Sequence, residues 1–251
     1  MSEAAVSRAG GKGRIGPTLR AVLVAPEAGF GAAIKSTLRR EQSGRRPGEG
    51  YAPSVIGALG FGALCLLWLK LASLLHLREV AAADFRWDFL IASFFLAAAL
   101  GLALQHLWGA LSGPLLRSMA SDTSAPSGSG RPPARPQASA AVFRSVWGLA
   151  LFPQMLALAI LLPLDLLIVG PETFTSERLA DPLAKLWAAI SIAGGTFLAA
   201  WSLWLLYKGI GVALTAPRGR SVLLGTTAVG LSIGTVVVLV LISRTVSGVT
   251  G

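Results

Sequence analysis

Two side chains of opposite charge, Lys70 and Asp165, stand inside long apolar runs of this sequence. Lys70 interrupts "ALCLLWLKLASLL" and Asp165 interrupts "AILLPLDLLIVG", two residues after Pro163. An ionisable group at such a position has two uses: it carries protons or ions through a membrane, or it pairs and positions helices. Their depths bear on the choice. Lys70 lies roughly 7 Å, and Asp165 roughly 10 Å, beyond the middle of its run at 1.5 Å per helical residue. Both displacements point toward the same face of a membrane, since the two runs cross it in the same direction. A candidate intramembrane polar pair follows, in which each charge removes the cost of burying the other. The competing arrangement has each side chain reach separately for the nearer headgroups, which is easier for lysine than for the shorter aspartate.

No other constellation carries chemistry. His76 and His106 fall near opposite ends of their runs, and with Cys65 they form no plausible zinc shell. No G-x-S-x-G elbow, H-E-x-x-H pair or G-x-x-x-x-G-K-[ST] phosphate loop occurs. No catalytic, cofactor-binding or metal residue is therefore expected, and the chain reads as a non-enzyme. His106, beside Gln105, reads as an interfacial or interhelical hydrogen-bonding residue.

The elements that must hold the two charges are helices in lipid. Of 251 residues, 53% are hydrophobic and only 14% charged, and the mean hydropathy is +0.66. A soluble domain carries about a quarter charged residues. Five runs approach or exceed the ~20 apolar residues needed to span a bilayer: about 53–77, 89–111, 146–169, 183–207 and 221–243. Their apolar character is continuous and does not alternate, so they predict helices and not barrel strands. The expected fold is thus all-α, a polytopic protein of five transmembrane helices. Small residues recur four apart in four of the spans, as in Ser93/Ala97/Gly101 and Ser191/Gly195/Ala199, and predict a close-packed bundle.

Direction follows from the 22 Lys and Arg residues. The N-terminal segment holds nine, the second connection four and the fourth connection three, against five on the opposite side. Cations collect on the cytoplasmic side, which predicts an N-terminus inside and a C-terminus outside, in a bacterial inner membrane. The excess of positive charge is explained by that orientation and by anionic lipid heads, so nucleic acid is not an expected partner. The first 50 residues show no cleavable leader. The sequence divides into a basic segment 1–50, a first helix pair 51–112, a Pro/Ser/Gly-rich flexible linker 113–142 and a three-helix part 143–251.

Within the basic segment, "APEAGFGAAIKSTLRR" predicts an amphipathic helix over 26–40. Pro26 and Glu27 suit its first turn. Phe30, Ala33, Ile34, Thr37 and Leu38 share one face, and Lys35, Arg39 and Arg40 lie off it. This is the pattern of a helix lying in the membrane interface, with cations among lipid phosphates. The alternative is a solvated basic segment frayed by Gly29 and Gly31.

The Pro26-x-x-x-Phe30 element ahead of five spans resembles the bacterial Yip1-domain family. The third span, "FRSVWGLALFPQMLALAILLPLDLLIVGPE", is similar to the family's segment of polar start, small residues, proline and long apolar run. "KLWAAISIAGGTFLAAWSLWLLYKGIGVALTAPRGRS" resembles its tryptophan- and glycine-marked span with a basic turn. The resemblance covers roughly residues 18–243. It implies an integral membrane protein; the expected partners are membrane lipids, through their anionic head groups, and a protein partner or a homo-oligomer. No GTPase-contacting motif of the eukaryotic relatives is matched. The expected role is a membrane scaffold or membrane-organising, trafficking-type factor. The alternatives are a small transporter or proton-relay subunit using Lys70 and Asp165, or an accessory subunit of a larger membrane complex.

Overall fold

The computed structural model describes residues 15–43, 52–74, 87–121, 139–175 and 181–214, with short helical pieces between 222 and 234. Every regular element among the described residues is helical: α1 (Ile15–Val24), α2 (Pro26–Gln42), α3 (Ala52–Leu74), α4 (Trp87–Ser121), α5 (Ala140–Ala150), α6 (Phe152–Ile168), a 3-10 turn (Gly170–Phe174) and α7 (Pro182–Leu214). Among the described residues four stretches are long and apolar enough to cross a membrane: Ala52–Ser73, Trp87–Ser112, Ala140–Ile168 and Pro182–Leu214. The expected fifth span, 221–243, falls largely outside the described residues, as do residues 1–14, 122–138 and His76.

Helix α3 is the hub, packed against α4, α5 and α6, while α7 closes the bundle against α5 and α6. Glycine makes the closest approaches possible. A methyl on Gly148 of α5 would fall on the Pro53 carbonyl of α3, and one on Gly60 would meet the Leu151 carbonyl. Gly101 of α4 receives the ring of Phe61, and Gly195 of α7 receives Leu67. Bulky side chains such as Phe95, Leu96 and Phe197 point outward and stay exposed, as expected where lipid is the solvent.

The third span is broken. Pro153 lacks an N–H, and its ring cannot sit against the carbonyl four residues earlier, so the helix is interrupted at Leu151 (φ −84°, ψ 1°). The Leu151 carbonyl then accepts from both Gln154 N (3.0 Å) and Met155 N (3.4 Å). On α6 the fully buried residues are Pro153, Gln154 and Asp165. Its two polar side chains are thus buried, whereas Ile160 and Leu167 are exposed.

Three expected boundaries move. Helix α4 runs to Ser121 and α5 starts at Ala140, so the 113–142 linker is shorter at both ends. A single proline, Pro114, removes one backbone bond without ending a helix whose apolar period continues through Leu115, Leu116 and Met119. At the other end the Ser139 hydroxyl accepts from Val142 N (3.3 Å) and caps α5. Helix α7 extends past residue 207 to Leu214 because Gly209, Ile210 and Ala213 are buried there.

What covers them is α2. Phe30 is wholly buried, with its ring on Gly209 of α7 beside Val146 of α5. Ala33 and Ile34 are buried in the same cluster, which includes Phe143, Leu205 and Ile210. The face expected to lie in lipid is therefore covered by protein. Gly209 supplies the physical reason: without a side chain on α7 there is a socket that an aromatic ring fills. Glu27 and Lys208 add an exposed ion pair (2.9 Å).

Candidate functional site

Lys70 sits one turn before the end of α3, Asp165 near the end of α6, and Trp187 and Ser191 in the first turns of α7. Trp187 and Ser191 are four residues apart and so share a face of α7. The Lys70 ammonium donates to Asp165 Oδ2 (2.8 Å) and to the Ser191 hydroxyl (2.8 Å). The Trp187 indole N–H donates to the other carboxylate oxygen, Oδ1 (3.0 Å). Lys70, Asp165 and Ser191 retain 3%, 4% and 2% of their exposure. The structure thus brings together the two charges singled out from the sequence.

Chemically the arrangement is a closed circuit: each carboxylate oxygen accepts from a different helix. A buried ion pair is tolerable only when its remaining hydrogen-bonding capacity is met, and Trp187 and Ser191 meet much of it. The end beyond the pair is also closed. After α6, Gly170 takes a left-handed turn (φ 77°), and the 3-10 turn folds back until the Phe174 carbonyl accepts from Ser73 of α3 (3.0 Å). Phe174 is buried with Leu66 and Leu90. Toward the opposite end the pair borders a cavity of about 40 Å³ between α3, α6 and α7, walled mainly by apolar side chains including Ala63, Leu67, Leu161 and Gly195.

A second polar layer lies nearer the α2 end. Gln105 of α4 is wholly buried, its amide where a side chain on Gly57 of α3 would otherwise stand. Trp108 packs on Phe143 (5.3 Å between ring centres) and on Trp147 (5.2 Å). Both amide atoms of Gln105 and both indole N–H groups are buried without a hydrogen-bond partner in the protein. Gln154 and Ser202 are in the same condition.

The remaining expected residues are dispersed. Phe30 and Ile34 are buried, Pro26 and Leu38 half-buried, Lys35 and Arg39 exposed, and Arg40 half-buried along α2. His106 is exposed, with Nδ1 2.8 Å from the Leu102 carbonyl. Cys65 is a free, half-buried thiol. Among the described residues no three His, Cys, Asp or Glu side chains gather as metal ligands would. The sequence places Ser191 in a helix-packing row and gives no role to Trp187, so neither was expected as a partner of the charges. Their four-residue spacing, at the depth of Asp165, was the available signal.

No family model, curated protein or solved structure matches this chain. Function has to be argued from the site.

Proposed function

We propose that the protein is a non-enzymatic, five-span integral membrane scaffold, Yip1-like in organisation, which arranges lipid and protein partners at the cytoplasmic face of a bacterial inner membrane. The observation that carries this reading is the Lys70–Asp165–Ser191–Trp187 circuit. Its two charges neutralise each other, and all four groups are committed to holding α3, α6 and α7 together. A transported ion or proton would have to break that circuit. Transport sites, moreover, usually lie at the midplane on discontinuous helices, whereas this pair sits near one end of the bundle. In this reading the 16 cations on the α2 side face the cytoplasm and anionic lipid, and α2 contributes Lys35, Arg39 and Arg40 to them.

A second reading, a small transporter or proton-relay subunit, draws on one observation: Lys70 and Asp165 border a cavity. Reconstitution into liposomes under pH and ion gradients separates the two. The scaffold reading expects no flux that depends on Asp165. Flux that Asp165→Asn abolishes overturns it in favour of transport. Mild-detergent purification from native membranes tests the accessory-subunit alternative, because a stoichiometric large partner selects it.

A further inference from the structure

Gln154 and Ser202 take no part in the circuit around Lys70, yet both are buried, at 1% and 5% exposure, and neither side chain has a partner among the described residues. An unpaired amide or hydroxyl in an apolar interior forfeits the hydrogen bonds it made in water and is costly to leave so. Their positions are not independent. Gln154 precedes Asp165 by eleven residues on α6, and Ser202 follows Ser191 by eleven on α7. Eleven residues are within about 20° of three full helical turns, so each residue lies on the inward stripe that carries its counterpart. The two helices are antiparallel, and Gly194 lies opposite Leu161. That register puts Gln154 level with Ser202, as it puts Asp165 level with Ser191. The cavity occupies the intervening stripe, from Asp165 and Ser191 through Leu161 and Gly195 to Ala157. Gln154 stands one turn beyond Ala157.

We infer that the α6–α7 seam binds ordered water, in a row that joins Gln154 and Ser202 to the cavity beside the Lys70–Asp165 pair. Water is the ligand that this chemistry selects. A cavity of about 40 Å³ exceeds the roughly 10–15 Å³ needed for one water. The groups available, an amide with donors and an acceptor, a hydroxyl and an ion pair, give such waters their two to four partners. A lipid chain would leave Gln154 and Ser202 unsatisfied, and an ion would find no charge at that level. The row approaches Asp165 from the side opposite the 3-10 turn. This inference does not depend on the scaffold reading.

X-ray radiolytic footprinting of the full chain in lipid nanodiscs tests it, because hydroxyl radicals form at bound water and label the side chains beside it. Leu158 lines the cavity, whereas Ile160 faces outward at 54% exposure. In the native protein, labelling at Leu158 above that at Ile160 is expected, and equal labelling overturns the inference. In Gln154→Leu with Ser202→Ala, labelling at Met155 and Leu158 is expected to fall to the level of Ile160 while the unfolding midpoint is retained. Unchanged labelling in a folded double variant also overturns it. If that variant fails to fold, the native comparison still decides.

Discussion

The bundle buries polar groups at two levels and treats them differently. Around Lys70 each hydrogen-bonding group has a partner on another helix. Around Gln105, Trp108 and Trp147 the amide and both indole N–H groups have none in the protein. Lys70, Asp165 and Ser191 are as buried as Gln105, Trp108 and Trp147, so burial alone does not say which residues hold the helices together. The difference teaches that the ionic level specifies which helices meet, whereas the amide and tryptophan level fills space with large rings packed on one another. Removing one partner at the first level strands a charge; at the second there is little pairing to lose.

Asp165→Ala is the severest break in that contrast. It leaves the Lys70 ammonium buried without its counter-charge, and about 3–5 kcal/mol of stability is expected to go, read as a loss of folded protein in detergent unfolding. Trp187→Phe keeps the packing and removes one bond to the carboxylate. A loss of about 1.5–3 kcal/mol is expected in the same assay, as for hydrogen bonds to charged groups. Gly148→Ala probes the second level through shape: its new methyl would fall on the Pro53 backbone carbonyl, and about 1–3 kcal/mol of overpacking is expected. Gln105→Leu should cost least. It replaces an unpartnered amide by an apolar side chain of similar size, a change that is nearly neutral or stabilising in an apolar setting. A large loss there, measured by unfolding midpoint, would equate the two levels.

Much of the architecture was legible in the sequence because lipid imposes a simple rule: continuous apolar runs become helices. The depths of Lys70 and Asp165 followed from counting along those runs. Other features depended on facts that hydropathy does not encode. Trp187 and Ser191 became partners of the pair through the rotation of α7 against α3 and α6, which no run of letters displays. The break at Leu151 was signalled by Pro153, yet Pro163 and Pro114 lie inside helices, so proline alone did not locate it. The face of α2 was legible as apolar, but a stripe such as Phe30, Ala33 and Ile34 suits lipid and protein equally. The socket at Gly209 decided between them, and it exists only after α5 and α7 have packed.

The central claim is that Lys70 and Asp165 act as one unit that clamps α3 to α6 and α7. A double-mutant cycle of Lys70→Met, Asp165→Leu and the two together, followed by unfolding in a mild detergent, tests it most directly. Each single variant leaves one buried charge and is expected to lose about 3–5 kcal/mol, while the double variant buries two apolar side chains and recovers most of the loss. If the two losses simply add, the charges do not act on each other and the clamp is contradicted.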